Sequence, residues 1–158
     1  MAISSTRLHR RVDDRREAVD STGDLLVTMA IIESALGLAL MMAPSITAYA
    51  ISGSVQGGPS ESTVIRVAGA ALFAIGICCF LGRLTEGNAA HGRPLDLVPG
   101  LAVLNACAVA VLTDALMRDL HAPLLWPATI IHSALLVWCV ACLAGEHANT
   151  RAGDGAAR

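Results

Sequence analysis

The stretch LLVTMAIIESALGLALMMA, residues 25–43, decides the fold, because it is a long apolar run interrupted by one ionisable residue, Glu33. Three further apolar runs follow, at residues 63–82, 97–117 and 124–143. A helix rises about 1.5 Å per residue and the hydrocarbon core of a bilayer is about 30 Å thick, so about 20 apolar residues cross it. Each run meets that length, and the sequence predicts four transmembrane helices.

Composition places the whole chain in the membrane class. Of its 158 residues, 54% are hydrophobic and 15% are charged, and the mean hydropathy of +0.61 exceeds that of typical soluble domains. The segments between the runs are too short to form a soluble core. We expect an all-α, membrane-embedded four-helix bundle at residues 24–144, a charged N-terminal arm at 1–23 and a flexible C-terminal tail at 145–158.

Charge and cysteine content exclude several classes of function. The sequence has no lysine, which rules out Schiff-base chemistry, and its net charge of −2 argues against nucleic-acid binding. All five cysteines lie inside the predicted spans. Cys139 and Cys142 have the C-x-x-C spacing of thiol–quinone redox proteins, but no loop cysteine is present to exchange electrons with them. We interpret the cysteines as small packing residues.

The distribution of arginine predicts the orientation. Arginines cluster before the first span and recur between the second and third spans, whereas residues 44–62 contain none. Because positively charged segments stay on the cytoplasmic side, both termini should be cytoplasmic, with the chain in the inner or plasma membrane of the cell. A signal peptide cleaved after Ala50 is the alternative. The apolar run before that site is too long for a signal peptide and contains Glu33.

Three polar residues are predicted to share the membrane midplane. Counting the helix rise from the cytoplasmic ends places Glu33, Asn105 and His132 about 12 to 17 Å deep. A carboxylate at a helix centre costs about 2.5–3.5 kcal/mol, so Glu33 should be protonated or paired. A neutral His132 ring could donate to Glu33 and accept from Asn105. This layer is either a proton-relay or ligand site, or a polar contact that fixes helix register.

Two charged residues are predicted to lie near the outer boundary. The same count places Arg66 and Asp114 about 24 to 26 Å deep, where charge is less costly and where they could form an ion pair. Asp114 could instead pair with Arg118, one turn further along its own helix.

Three glycines in the first two runs are predicted to be helix-packing residues, because small side chains let membrane helices approach closely. They are Gly37, Gly69 and Gly76. No metal site is predicted, since one histidine and one carboxylate do not complete a zinc site. No cofactor is predicted either, although contact with a quinone or a haem stays open.

The residues at 66–69, Arg-Val-Ala-Gly, with Gly76 after them and Glu33 and Gly37 before them, resemble small bacterial four-helix membrane proteins of the DoxX-like kind. The resemblance spans all four apolar runs and implies the same architecture. Some DoxX-like proteins are associated with membrane redox subunits that pass electrons to quinone. No cofactor motif in this chain supports that activity.

Three functions stay open, in the order in which the sequence favours them. The first is an accessory or scaffold subunit, not an enzyme, that packs on a larger membrane complex or on itself. The second is a dimeric proton-coupled carrier of a small solute, with its site at Glu33, Asn105 and His132. The third is a membrane enzyme acting on a lipid or quinone, with Glu33 and His132 as an acid–base pair. Membrane lipid is expected to contact the chain in all three.

Overall fold

The computed structural model describes residues 3–53, 59–84, 94–118 and 122–156, and within these ranges every regular element is helical. The elements are α1 (Ile3–Met42), α2 (Pro44–Ser52), α3 (Pro59–Leu84), a 3-10 helix (Pro94–Leu97), α4 (Val98–Met117) and α5 (Leu125–Ala156). The predicted all-α fold is therefore confirmed for the described residues. The ends of the predicted arm and tail, at 1–2 and 157–158, lie outside them.

Four of these helices are long and apolar enough to cross a membrane. The crossing segments are Asp20–Met42, Ser60–Leu84, Val98–Met117 and Leu125–Ala148. Each contains most of one predicted run. Large hydrophobic side chains are exposed along all four segments, among them Ile31, Val67, Val103 and Val137. These exposed apolar faces are suited to lipid, and the chain has the architecture of a multi-pass membrane protein.

The first and last helices extend beyond the predicted spans. α1 begins at Ile3, so the residues predicted as a separate arm continue the first transmembrane helix. α5 continues to Ala156 through the segment predicted as a flexible tail. α1 contains no proline, and it ends at Met42, just before Pro44, which opens α2 at a position where its missing N–H costs little. Charged residues that favour helix extend α1 toward the N-terminus.

The four long helices pack as two pairs. α1 packs along α3, and the short connection after α4 makes α5 its neighbour. The pairs meet mainly where α1 touches α5, and there the Trp138 indole N–H donates to Ser21 Oγ at 3.1 Å. The buried core lies at the end of the bundle away from α2, around Leu25, Met29 and Leu101. The space between the pairs is less filled toward α2.

Glycine sets the close approach of α1 and α3. A Cβ atom built on Gly37 would lie 2.5 Å from the Gly69 carbonyl oxygen and from the Phe73 nitrogen. One built on Gly69 would lie 2.7 Å from the Gly37 carbonyl oxygen, and one on Gly76 would meet Ser34. The structure therefore places all three predicted packing glycines in one contact within the chain.

Candidate functional site

The three predicted midplane residues come from three helices and converge on the space between the two pairs. Glu33 lies on α1, Asn105 on α4 and His132 on α5. Glu33 and Asn105 are 1% and 0% exposed, and His132 is half-buried. Their similar depth along the helices was predicted from the sequence. Their actual bonding partners depend on how each helix is rotated, which the sequence did not show.

Asn105 is fully used in hydrogen bonding. Its Nδ2 donates to the Leu101 carbonyl oxygen at 2.8 Å and lies 3.8 Å from Met29 Sδ. Its Oδ1 lies 2.9 Å from Nδ1 of His132. Because Nδ2 must face the Leu101 carbonyl, Oδ1 faces the ring, and an amide oxygen can only accept. His132 therefore donates from Nδ1 to Asn105, the reverse of the predicted direction.

Glu33 differs from Asn105, because its carboxyl group has no hydrogen-bond partner within the described ranges. Both oxygens, Oε1 and Oε2, are buried and unpaired there. The predicted hydrogen bond between His132 and Glu33 is not formed. Buried polar side chains in proteins are almost always satisfied, so an unsatisfied carboxyl in an apolar interior calls for an explanation.

A cavity of about 410 Å³ adjoins both Glu33 and His132. Glu33 and His132 are the two ionisable residues that line the cavity, and the remaining lining residues are apolar. The wall is formed largely by α1, α4 and α5, and includes Leu36, Leu104, Ala108, Leu112 and Ile131. The cavity volume falls in the range of natural small-molecule sites, which are mostly apolar with a few placed polar groups.

The short helix α2 bounds one end of the cavity. Its Ile51 lines the cavity together with Leu124, and the Leu124 N–H donates to the Ala50 carbonyl oxygen at 3.0 Å. α2 ends at Ser52, and the C-cap residue Gly53 has a φ of 72°, which is readily adopted only without a side chain. The hydrogen bond between Leu124 and Ala50 ties α2 to the turn before α5 and holds Ile51 beside the cavity.

The cavity opens toward the side of the bundle. Among its lining residues, Val111 is 69% exposed and Ile131 is 44% exposed, on α4 and α5 respectively. Both belong to segments that are apolar enough to cross a membrane. The exposed part of the cavity wall is therefore apolar and lies on segments that are suited to contact with lipid.

The predicted outer-layer residues are not brought together. Asp114 accepts from Arg118 at 2.8 Å, and both side chains are well exposed. Arg66 lies on an exposed part of α3 and does not pair with Asp114. The reason is the helix arrangement, since α3 packs on α1 whereas α4 packs on α5. The alternative pairing of Asp114 within its own helix is the one observed.

The cavity and its α2 boundary were missed by sequence reasoning. Neither Ile51 nor Ala108 carries a pattern in the sequence that indicates a cavity. A small residue such as Ala108 facing larger neighbours leaves space only if the opposite helix does not fill it, so its identity alone carries no signal.

Comparison of the chain with protein-family models, curated proteins and solved structures gives no match. The DoxX-like resemblance therefore stays a prediction from sequence. In the part of the chain that the structure describes, no three His, Cys, Asp or Glu side chains are grouped to hold a metal ion. The cavity beside Glu33 and His132 is therefore the candidate functional site.

Proposed function

We propose that this protein binds a lipophilic molecule, taken from the bilayer, in the cavity beside Glu33 and His132. The observation that carries the proposal is the Glu33 carboxyl group, which is buried without a partner in the described structure and borders an apolar cavity. A ligand with a polar group would supply the missing hydrogen bonds. Its apolar part would fill the rest of the cavity.

The energetics of Glu33 support a ligand more than a structural role. An unpaired carboxylate in this position costs several kcal/mol, so the ligand-free protein holds Glu33 as the neutral acid. Even the neutral acid is unfavourable when its hydrogen bonds are unmade. An apolar side chain of the same size would suit the apolar surroundings of Glu33 better. Residues that lower stability in this way are typical of binding and catalytic sites.

The apolar wall of the cavity supports a lipophilic ligand. Leu104, Ala108 and Ile131 offer hydrocarbon surface and no hydrogen bonds from their side chains. Burial of apolar ligand surface against them is worth about 25 cal/mol per Å² relative to water. A water-soluble solute would lose its hydration without replacement. A molecule already dissolved in the bilayer reaches the lateral opening directly and has little hydration to lose.

Photoaffinity labelling in proteoliposomes tests the proposal. The probe is 4-octylanisole with a diazirine in its alkyl chain, and the labelled peptides are mapped by mass spectrometry. We expect saturable labelling on α4 and α5 at the cavity wall, which excess unlabelled 4-octylanisole suppresses. Ala108→Phe fills the cavity and should abolish this labelling.

Ala106→Phe is the matched control, because Ala106 is exposed on the same helix and does not line the cavity. It should label like the wild-type chain. Non-saturable labelling, or equal saturable labelling in Ala108→Phe and Ala106→Phe, would overturn the proposal.

A second candidate, an accessory subunit of a larger membrane complex, is favoured by Arg66. This residue is exposed in the crossing segment of α3 and forms no ion pair within the described ranges. A partner subunit with an acidic or amide side chain would lower the cost of placing Arg66 there. Gly37, Gly69 and Gly76 do not support this candidate, because they are already used inside the chain.

Extraction from native membranes in a lipid-preserving polymer tests this candidate. Arg66→Leu should release a co-purifying protein, whereas Arg118→Gln, which removes an exposed arginine paired within its own helix, should retain it. A wild-type chain that elutes alone would count against an accessory role. For either function, the arginine distribution supports cytoplasmic termini, and the DoxX-like resemblance supports a location in a bacterial inner membrane.

A further inference from the structure

We infer that the ligand is a lipophile with a free hydroxyl group, and that Nε2 of His132 accepts the hydrogen of that hydroxyl. The inference rests on the proposed function and names the chemical class of the molecule. It follows from the hydrogen bonds that fix Asn105 and His132, and from the apolar character of the wall.

The tautomer of His132 is set by its neighbour. Asn105 Oδ1 accepts from Nδ1 of His132 at 2.9 Å, because Asn105 Nδ2 is committed to the Leu101 carbonyl oxygen. A neutral imidazole has one N–H, so Nε2 carries the lone pair. No residue in the described ranges bonds to Nε2, and His132 lines the cavity. The cavity therefore presents a hydrogen-bond acceptor to its ligand.

Glu33 presents the complementary group. As a neutral acid its hydroxyl donates, and its carbonyl oxygen accepts. A ligand hydroxyl can donate to Nε2 of His132, and a rotation of the buried Glu33 side chain toward the cavity would let the same hydroxyl accept from the acid. An ether or a ketone only accepts, which leaves Nε2 of His132 unpaired.

The apolar wall selects against charged ligands. An ammonium group would require Glu33 to ionise inside a cavity whose other lining residues, His132 apart, are hydrocarbon, and a carboxylate ligand would lose its hydration there. A neutral hydroxyl avoids both costs. It also suits a molecule that partitions from the bilayer through the lateral opening between Val111 and Ile131.

The test compares 4-octylphenol with 4-octylanisole, which differ in whether the oxygen carries a hydrogen. Both compete with the diazirine probe for the full-length protein in proteoliposomes, at bilayer concentrations measured for each compound. We expect 4-octylphenol to compete about tenfold more tightly, the ratio that corresponds to one hydrogen bond of about 1.4 kcal/mol. His132→Phe should bring the ratio close to one, while 4-octylanisole still competes.

A measurement on the wild-type chain avoids reliance on a variant. With ¹⁵N-labelled histidine, 4-octylphenol should shift the Nε2 resonance of His132 and leave Nδ1 protonated, whereas 4-octylanisole should leave Nε2 unchanged. Equal competition by the two compounds and an unchanged Nε2 would overturn the hydroxyl inference and leave the cavity as a lipophile site. Absence of saturable labelling altogether would instead overturn the proposed function.

Discussion

Glu33 and Asn105 are both buried polar residues, but only Asn105 forms hydrogen bonds in the described part of the chain. Asn105 bonds to Leu101 and His132, so a structural role explains it completely. Glu33 has no partner in the described part of the chain, although it is 1% exposed. A residue kept to fix helix register would be bonded to the helix that it positions. The unpaired state of Glu33 is therefore the stronger indication of function.

Replacing Glu33 by methionine should stabilise the protein and weaken ligand binding. Methionine has similar size and no unmade hydrogen bond, so we expect the free energy of unfolding to rise by about 1 to 3 kcal/mol. Unfolding by SDS in mixed micelles measures it. Glu33→Gln, which keeps a polar group, should gain much less. A loss of stability in Glu33→Met would show that Glu33 is a structural contact.

Asn105 and His132 should be energetically coupled. A double-mutant cycle of Asn105→Leu and His132→Phe should give about 0.6 kcal/mol and at most about 1.7 kcal/mol, the average and the maximum for hydrogen bonds between membrane helices. The cycle of Glu33→Met with His132→Phe should be additive within about 0.5 kcal/mol, because those side chains are not bonded. Strong coupling in the second cycle would contradict the observed geometry.

At the scale of helices, close packing is confined to particular pairs. α1 and α3 meet through glycine, with the Gly37 and Gly69 backbones in contact. α4 and α5 pack on each other, and the two pairs share a core only at the end away from α2. The cavity is the part of the interface between the pairs that their side chains do not fill.

Gly37→Ala should separate α1 from α3. Its Cβ would lie 2.5 Å from backbone atoms of Gly69 and Phe73, which cannot rotate away. We expect a loss of about 1 to 3 kcal/mol in the free energy of unfolding. Gly145→Ala is the control, since a Cβ atom added there would meet nothing within 4 Å, and it should gain about 0.5 to 1 kcal/mol. Equal effects would refute the close contact.

The sequence predicted well how far along its helix each polar residue lies. It predicted poorly which neighbouring helix the side chain faces. Apolar run length defines the spans, and the rise per residue placed Asn105 and His132 at one depth, where the structure joins them. Counting residues along each helix does not show which helices are neighbours. Arg66 and Asp114 were matched by depth but lie on helices from different pairs. The same limitation hid the cavity at Ala108.

At the scale of the whole molecule, two helix pairs and the short helix α2 form a helical bundle with a half-open apolar cavity between the pairs. The core at one end holds the pairs together, and α2 covers the other end near Ile51. Between them lies the cavity that Glu33 and His132 border. Small membrane bundles gain stability by close packing, so a space of about 410 Å³ is a departure from that rule.

The proposed orientation is tested by thiol labelling in intact cells. Ser45 and Ala148 are both exposed and lie at opposite ends of the crossing segments. An impermeant maleimide should label Ser45→Cys in intact cells and Ala148→Cys only after the cells are opened. The unsubstituted chain, whose five cysteines all lie within the crossing segments, provides the background. The reverse labelling pattern would place both termini outside.

Native mass spectrometry of the protein, extracted from its own membrane in a lipid-preserving polymer, tests the central claim most directly. The wild-type chain should carry one small lipophilic molecule per protein, and Ala106→Phe should carry the same molecule. Ala108→Phe, with the cavity filled, should lack it. If the wild-type chain and Ala108→Phe showed the same bound molecules, or none, the cavity beside Glu33 and His132 would not be a ligand site.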